Sequence, residues 1–499
     1  MTTLSNTATT NQPPANTPAD FRWEPQPQAQ ALLNELVDRF LAMCPPAAEL
    51  KRRMTDDTGT RFFDWIDHIG VPDTGDIRQR LEAVGFLPVE RDGTGPEHAN
   101  SVAMDHPGAL FPTVVLNDVP VLAVGIKVDS VIDFASAHDI PDTNEIMGEP
   151  FSRLRLLVAH SAPPRGGGEP TLDDPRAELW AVERRGYDGF EPGDADPPHV
   201  AKLLAHREAI IRRDRDFQED FADFTVGGPA DKAAFAHMWK ILDAAIADLG
   251  VDAACELFFE AERIYWENTN RAGQIQHLRQ NRLGLGWANH DHHTYRCSRA
   301  NYVETIATFE KLGFYCRERF YAGDEAGWGA QVLEQPRTGI VIFADVDMSA
   351  EELKGDFAHE GFAPREGFGT VGMWVALHGE AVLQAGMHHL ECQFDHHALV
   401  DQLKREAGID TMDPFTTFPY LRQAFTEGER KLVHPKRLEH LTSTNQITSE
   451  QAEAFASGGA LHSHLENLER NDGFKGFNQQ GVSDIISRTD PRKQTAGAR

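Results

Sequence analysis

The chain lacks the cysteine patterns of a disulfide framework or a zinc ribbon. Its five cysteines are scattered along 499 residues, and none belongs to a Cys-x-x-Cys pair, which favours reduced thiols. No apolar run approaches the roughly 18 residues of a membrane span. Residues 1–25 have neither the basic start nor the apolar core of a signal peptide. These absences predict a cytoplasmic protein with a disordered N-terminal tail.

Basic residues are also scarce. Lys and Arg number 48 against 77 Asp and Glu, for a formal net charge of −29. Nucleic acids and anionic membranes both require a basic face on their partner, so neither is expected to bind. The chain is 40% hydrophobic, which at this length is enough for more than one core.

What the sequence does contain is an internal repeat. Each copy begins with a strand, continues with an amphipathic helix closed by glycine, and ends with further strands. The copies begin at Ile66-Asp67-His68, within Val121–Val128, at Asp291-His292 and at Met387-His388-His389. Such βαβββ units cannot bury both faces alone, so they are expected to pair into curved, half-open barrels.

The repeat predicts an α+β fold of βαβββ modules paired into half-open barrels, with an intervening helical block. This arrangement, with a histidine near the start of the unit, resembles the vicinal oxygen chelate superfamily. The helical block is indicated by apolar residues at helical spacing, such as Phe235, Met238 and Leu242. The predicted divisions are a tail (1–25), a degenerate βαβββ pair (60–190), the helical block (192–285), a metal-binding βαβββ pair (286–448) and a helical or irregular segment (449–499).

The segment from Asn289 to Arg296 is the richest in candidate ligands. It holds three histidines, one aspartate and one arginine within eight residues. Imidazole is a common ligand for borderline metals, and arginine binds carboxylates in pairs of hydrogen bonds. In a strand, alternate residues share a face, which groups His290, His292 and Arg296 on one side.

The repeat distinguishes among the histidines. His68 and His292 both follow an aspartate, and His389 takes the equivalent position in the third copy. Two such histidines from paired units, with a carboxylate from a later strand, predict a facial triad that suits Fe(II), with Mn, Ni or Zn as alternatives. His290, His293 and His388 are expected to be neighbours. In the N-terminal pair, Ala123 stands where a second ligand is needed, so that pair is expected to be structural.

Two short motifs carry a resemblance over residues 230–460. His292-His293-Thr294-Tyr295-Arg296 matches a strand that reads His-Gly-Ala-Ile-Arg, and His388-His389-Leu390-Glu391 matches Asn-His-Leu-Thr. Both strands occur in the 2-oxoadipate dioxygenase/decarboxylase (2-hydroxyglutarate synthase) family of the vicinal oxygen chelate superfamily, which the C-terminal half resembles. Counting back from Ile447-Thr448 places the family's metal glutamate on Glu439, although its Gln-Arg-Gly motif is absent here. Glu334 and Glu391 are the substitutes.

The resemblance implies an iron(II) enzyme with dioxygen as co-substrate and a small 2-oxo or 2-hydroxy carboxylic acid as substrate. His292, His389 and Glu439 would hold the metal, and Arg296 would bind a substrate carboxylate. Oxidative decarboxylation with hydroxylation of the same skeleton is the implied reaction.

Two other functions are compatible with the same residues. A lyase or isomerase of the glyoxalase or epimerase type would keep the metal but enolise its substrate, which requires a further carboxylate as base. A non-enzymatic binding protein would use the barrels as a ligand cavity.

Overall fold

The computed structural model describes residues 23–89, 101–141, 146–148, 154–161, 170–183, 197–216, 225–478 and 490–493. Most of the predicted tail, residues 1–22, lies outside this range. The helices of the described residues are α1 (Pro27–Met43), α2 (Pro45–Thr58), α3 (Asp76–Ala83), α4 (Val131–Ala137), α5 (Pro197–Asp216), α6 (Pro229–Leu249), α7 (Val251–Glu267), α8 (Arg271–Asn281), α9 (Tyr302–Lys311), α10 (Phe357–Glu360), α11 (Thr370–His378), α12 (His396–Ala407), α13 (Pro435–Ser443) and α14 (Ser449–Gly458).

The strands fall into two groups, one on each side of helices α5–α8. The N-terminal group is β1 (Ile66–Pro72), β2 (Leu87–Val89), β3 (Val102–Asp105), β4 (Thr113–Asn117), β5 (Val121–Lys127), β6 (Ile146–Gly148), β7 (Leu154–His160) and β8 (Arg176–Val182). The C-terminal group is β9 (His290–Arg296), β10 (Tyr315–Tyr321), β11 (Trp328–Gln335), β12 (Ile340–Asp347), β13 (His389–Gln393), β14 (Thr416–Phe418), β15 (Leu421–Phe425), β16 (Glu429–Lys431) and β17 (Ala460–Arg470).

The two sheets have the same strand order. The first runs β2-β3-β4-β1-β5-β8-β7-β6, and the second runs β10-β11-β12-β9-β13-β17-β15-β14, with β16 added beside β17. In every module the first strand pairs in parallel with the last, as β9 does with β12 and β13 with β17. The first strands of paired modules are antiparallel neighbours. The predicted fold class of paired βαβββ modules is confirmed.

Glycine ends three of the four module helices, as the sequence predicts, whereas α4 is followed by His138 and by Asp139, whose φ is +51°. Gly85, Gly313 and Gly408 follow helices α3, α9 and α12, and their φ values are +98°, +88° and +67°. These are left-handed conformations that glycine adopts without a steric penalty. At the other end of α12, the Asp395 side chain accepts a hydrogen bond of 3.0 Å from the backbone N–H of Ala398, which satisfies a free donor of the first turn.

The helical block covers the outer face of β9. Phe259 of α7 packs edge-on against His293 and Tyr295, with ring centroids 5.1 and 6.3 Å away. Because residues alternate along a strand, this contact leaves His292 and Arg296 for the inner, concave side. The helices thereby determine which face of β9 becomes the interior of the barrel.

The structure corrects one predicted boundary and adds an element to the N-terminal half. Strand β17 lies between β13 and β15, so the second barrel continues past residue 448 and the segment 449–499 is not only helical or irregular. Helices α1 and α2 precede the predicted start at residue 60 and join the hydrophobic core of the first sheet.

Buried hydrogen bonds join the two halves. Gln276 of α8 donates to the carbonyl oxygen of Thr58 at 2.8 Å, and the Asp129 carboxylate accepts from the backbone N–H of Trp287 at 2.6 Å. Such bonds fix the relative position of the sheets, because each buried polar group needs its partner. Among the described residues, no helix has the length and apolar character needed to cross a membrane.

Candidate metal centre

Three buried side chains meet on three neighbouring strands of the second sheet. They are His292 on β9, His389 on β13 and Glu466 on β17, and one ligand atom from each lies within 4.8 Å of the others. The Nε2 atom of His389 is 2.9 Å from Oε2 of Glu466. All three residues are less than 10% exposed, so their polar atoms face one another inside the half-open barrel.

The strand register explains why these three side chains converge. Glu391 pairs with His292 across the antiparallel β9–β13 ladder and with Glu466 across the parallel β13–β17 ladder. His389 is two residues before Glu391, so both project from the same face of β13. The ligand set therefore consists of inward residues on adjacent strands.

Glu439, the predicted carboxylate ligand, is not part of this cluster. It lies on α13, in a stretch inserted between β16 and β17, and its side chain is exposed. Counting back from Ile447-Thr448 fails because the chain forms two helices there before it returns to the sheet. The structure brings Glu466 to the two histidines in its place.

A β-bulge at Asp291 adds a second layer of carboxylates around His292. The β9–β13 register shifts between His290 and His292, and the extra residue, Asp291, places Oδ2 3.4 Å from Nδ1 of His292. Oε1 of Glu391 lies 2.9 Å from the same nitrogen. Since Nδ1 faces two carboxylates, Nε2 is the ring nitrogen left for a metal. Carboxylates in this position orient a ligating histidine and increase its basicity.

Asp291 and Glu391 form a second group with His292 whose ligand atoms also lie within 4.8 Å of one another. In that group Asp291 accepts a 2.9 Å charge-assisted hydrogen bond from Nη2 of Arg470. A guanidinium so close repels a second cation at Asp291. We therefore assign His292, His389 and Glu466 as the candidate ligands, with Asp291 and Glu391 supporting them.

The buried groups of this cluster have pKa values shifted from their usual ranges. Burial raises the pKa of Glu466 well above its usual range, and the neighbouring Glu391 raises it further. Burial lowers the pKa of His389 well below its usual range. For His292 burial also disfavours the charged form, but Glu391 and Asp291 outweigh it and raise the pKa to about 9. Burial thus dominates the pKa shifts of Glu466 and His389, whereas the two neighbouring carboxylates decide the shift of His292.

The donor set fits a divalent transition metal. Two imidazoles and one carboxylate form a facial triad, the ligand type that leaves coordination positions open and suits Fe(II), with Mn, Ni and Zn compatible by donor chemistry. A divalent cation would also offset the repulsion between Glu391 and Glu466, which Gln423 bridges by donating to Glu391 at 2.8 Å and to Glu466 at 3.3 Å.

Arg296 lies on the same inward face of β9, two alternations beyond His292. It is 3% exposed, and its Nε and Nη1 have no hydrogen-bond partner among the described residues. Burial lowers its pKa to about 10 although Asp345 and Asp347 oppose this. An arginine buried with open donors is a costly arrangement that an anionic ligand would relieve.

The other sequence candidates occupy different positions. His290 bonds to the carbonyl oxygen of Trp287 at 2.9 Å, and His293 packs on Phe259 at the outer face. Nδ1 of His388 is 3.0 Å from Nδ1 of His389. His388 therefore contacts the ring nitrogen of His389 that does not face Glu466. Glu334 is ion-paired with Arg317 at 3.2 Å.

Aromatic rings surround the cluster. Phe343 and Phe477 pack against His292 with ring centroids 4.5 and 5.8 Å away, and Phe425 lies 5.2 Å from His389. Apolar rings lower the local dielectric, which strengthens every charge interaction at the centre. They also restrict the access of water to it.

The N-terminal sheet lacks two of the three corresponding side chains. Its register pairs Gly70 with Ala123 and Gly125 with Trp180, so alanine stands in place of His389 and tryptophan in place of Glu466. His68 keeps an Asp67 contact of 2.8 Å. Glu183, another carboxylate of this sheet, accepts a 2.9 Å hydrogen bond from the N–H of Val131 at the start of α4, which is a structural role.

We expect His68→Ala to leave the metal content of the protein unchanged, because a single histidine does not hold a catalytic metal ion. His292→Ala is the matched variant, since it removes the residue in the equivalent position of the second sheet and should abolish metal retention. Metal analysis after gel filtration measures both. A lower metal content in the His68 variant alone would reverse the assignment of the two sheets.

Glu391→Gln tests whether the carboxylate beside Nδ1 of His292 supports metal binding. We expect it to weaken iron(II) affinity by about 10- to 100-fold, because the change removes the charge that orients Nδ1 of His292. Glu334→Gln is the control, since it removes an equally buried carboxylate of the same barrel that pairs with Arg317. Titration of the metal-free variants with iron(II) under anaerobic conditions compares them, and equal losses in both would contradict a specific role for Glu391.

No protein-family model matches the chain, and no curated protein matches it in sequence. Similar solved structures include a glyoxalase superfamily protein from Ralstonia eutropha, with 11% identity, a TM-score of 0.30 and coverage of 56% of this chain and 97% of that one. A variant of 4-hydroxymandelate synthase from Streptomyces coelicolor has 12% identity, a TM-score of 0.21 and coverage of 86% and 96%. Methylmalonyl-CoA epimerase from Mycobacterium tuberculosis has 14% identity, a TM-score of 0.21 and coverage of 37% and 88%.

Proposed function

We propose that the protein is a mononuclear non-haem iron(II) dioxygenase that acts on a small 2-oxo carboxylic acid. The observation that carries the proposal is a buried His-His-Glu cluster with an arginine on the same strand face whose donors are open. The resemblance of residues 230–460 to 2-oxoadipate dioxygenase/decarboxylases adds support. Iron(II), when bound, supplies the redox chemistry that lets dioxygen react with an organic acid.

The proposed reaction balances without a further reductant. A 2-oxo acid, R-CH2-CO-COOH, and dioxygen give carbon dioxide and a 2-hydroxy acid, R-CH(OH)-COOH. Both oxygen atoms of dioxygen are accounted for among the products. Of the four electrons that dioxygen takes up, two come from oxidative decarboxylation, which converts the keto carbon into a carboxyl group, and two come from hydroxylation of the adjacent methylene carbon. Such a reaction needs a residue that holds the substrate in one orientation and a site from which water is excluded.

This chain offers residues for both tasks. Arg296 would bind a substrate carboxylate through paired hydrogen bonds, with Trp374 supporting its guanidinium at 5.7 Å from the ring centroid. The rings of Phe343, Phe425 and Phe477 would exclude water. Glu391 would hold His292 in the tautomer with hydrogen on Nδ1, which keeps Nε2 available.

The test is oxygen uptake by protein that has been purified without oxygen and loaded with iron(II). A panel of 2-oxo monocarboxylic and dicarboxylic acids should contain a substrate that consumes one oxygen molecule for each carbon dioxide released. His292→Ala and His389→Ala should lose both the metal and the uptake. Retention of iron and oxygen uptake in these variants would refute the proposal.

A metal-dependent epimerase or glyoxalase-type enzyme is the second candidate, and Asp345 is the observation that favours it. Asp345 pairs in register with Arg296, and burial raises its pKa to about 7 against the opposing effects of Arg296 and His292. A carboxylate with this pKa is suited to removing a proton beside a carbonyl group. Turnover under strict exclusion of oxygen, lost in Asp345→Asn, would establish this reaction in place of the dioxygenase.

A further inference from the structure

Three metal-ligating side chains of different chemistry meet at the surface of the module that begins with β9. They are Glu310 in the last turn of α9, Cys316 near the start of β10 and His359 in α10, and one ligand atom from each lies within 4.8 Å of the others. Strand β10 is at the edge of the second sheet, with β11 and β12 between it and β9. The cluster is therefore separate from the candidate metal centre.

The turn between α9 and β10 brings Glu310 beside Cys316. Gly313 follows α9 with a φ of +88°, a left-handed conformation that lets the chain reverse at once. The register of β10 then shifts after Cys316. Arg317 at that bulge pairs with Glu334 inside the barrel, whereas Cys316 packs against the hydrophobic cluster that includes residues of α9. The thiol thus lies on the helical side of the strand.

His359 is oriented so that one ring nitrogen points towards Glu310. Its Nδ1 lies 2.9 Å from both carboxylate oxygens of Asp356, three residues earlier in the chain. Its Nε2 lies 2.8 Å from Oε1 of Glu310. A carboxylate at one ring nitrogen keeps a hydrogen there and leaves the other nitrogen for a metal, as is common for histidines that bind zinc. Asp356 therefore acts as an orienting residue for His359.

The charges around the thiol favour a cation. Burial, with Glu310 and Asp356 adding to it, raises the pKa of Cys316 to about 12 against the opposing effect of Arg319. Hydrogen bonds to Glu310 and Asp356 also raise the pKa of His359. A divalent ion would stabilise the thiolate and take the place of the proton between His359 and Glu310.

The donor set favours zinc. Thiolate and imidazole are typical zinc ligands, bound at about 2.0–2.3 Å, so two ligand atoms of one ion are less than roughly 4.6 Å apart. The observed spacing is close to that limit. Glu310 and His359 are exposed, so their side chains can rotate to close the remaining gap. A fourth coordination position would be left for water.

We propose that Glu310, Cys316 and His359 form a zinc site that binds α10 to α9 and to the edge of the second sheet. The site is independent of the reaction at the candidate metal centre. Three protein ligands at an exposed position hold an ion loosely, so binding has to be measured with free metal present rather than after gel filtration.

Cobalt(II) titration of the full-length, metal-free protein tests the proposal. A thiolate bound to cobalt(II) gives an intense charge-transfer absorption, and none of the candidate iron ligands is a cysteine. We expect this absorption in the unmodified protein and, with one cobalt ion per chain, in His292→Ala. It should vanish in Cys316→Ser and require at least about tenfold more cobalt in His359→Gln. Absorption that survives in Cys316→Ser, or none with up to about 1 mM cobalt(II), would overturn the site.

His206→Gln is the matched control for His359→Gln. His206 also pairs with a carboxylate, that of Asp248, and the distance from its Nε2 to Oδ2 is 2.8 Å. Because that pair includes no cysteine, its loss should leave the absorption unchanged. An equal loss in both variants would mean that removing any surface histidine has the same effect, which contradicts a specific site.

Alkylation of Cys316 provides a second measurement that does not depend on cobalt. The other four cysteines are buried, so iodoacetamide should modify Cys316 first. Zinc should slow this modification at least about tenfold in the unmodified protein and have little effect in His359→Gln, as followed by mass spectrometry. Equal protection by zinc in both proteins would contradict the proposed ligand set, even if Cys316→Ser failed to fold.

Discussion

Glu466→Gln is expected to lower iron(II) affinity and turnover by at least about 100-fold, while Glu439→Gln leaves both unchanged. The first variant replaces a carboxylate that lies 2.9 Å from Nε2 of His389 by an amide, which is a poor metal ligand without charge. The loss of affinity should exceed the roughly 10- to 100-fold reduction caused by removing a residue that only orients a metal ligand. The second variant changes only an exposed side chain on α13.

The two variants are compared by anaerobic iron(II) titration and by turnover at saturating metal. Glu466→Asp keeps the charge but shortens the side chain, so it should retain part of the metal affinity and separate the effect of charge from that of reach. If Glu439→Gln lost the metal and Glu466→Gln kept it, the cluster on β9, β13 and β17 would not be the metal centre.

Arg296→Gln should raise the KM for the carboxylate substrate by roughly 10- to 150-fold, with iron(II) affinity retained. A hydrogen bond to a charged group contributes about 1.5–3 kcal/mol, and each 1.4 kcal/mol corresponds to about a factor of ten. Arg296→Lys keeps the charge without the paired donors, so it should show an intermediate KM. The effect is expected on substrate binding because Nε and Nη1 of Arg296 have no hydrogen-bond partner among the described residues.

Arg299→Gln is the matched control for this series. Arg299 follows β9 in the sequence and binds Glu352 at 2.6 Å, so its loss should leave KM unchanged. Steady-state kinetics and metal content, measured for all three variants, distinguish the outcomes. An unchanged KM with a reduced kcat in Arg296→Gln would assign the arginine to the chemical step and remove it as the substrate-binding residue.

The repeated part of the fold could be predicted because it leaves local marks. Aspartate-histidine pairs lie near the start of β1 and β9, and glycines end three of the four module helices. Strand alternation alone predicts that Arg296 lies on the same face as His292, because the two residues are four positions apart on β9. His389 followed from its position in the repeat. These features depend on neighbouring residues, which a single sequence displays.

Glu466 left no comparable mark. Strand β17 is buried along almost its whole length, so it lacks the alternation of a half-exposed strand. Its apolar residues Leu461, Leu465 and Leu468 have the spacing of a helix instead. The strand forms because β13 and β15 pair with it on either side. A tertiary contact thus overrides the local pattern.

The local sequence does not predict the bulge at Asp291 either. Strict alternation places Asp291 opposite His292, yet the register shift brings its carboxylate to the histidine. A bulge is specified by the pairing of two distant strands rather than by the residues of one. The sequence could suggest it only through the first sheet, where Asp67 stands beside His68 in the same way.

The late position of β17 has a consequence for biosynthesis. The carboxylate of the cluster belongs to a strand that spans Ala460–Arg470, so a nascent chain lacks this candidate ligand until synthesis has passed that strand. Strands β9 and β13, which carry the two histidines, are synthesised much earlier. One edge of β13 therefore stays unpaired until β17 has been made. The complete His-His-Glu cluster can therefore assemble only after synthesis has passed residue 470. A chain that stops before β17 would expose a sheet edge prone to aggregation and would lack Glu466.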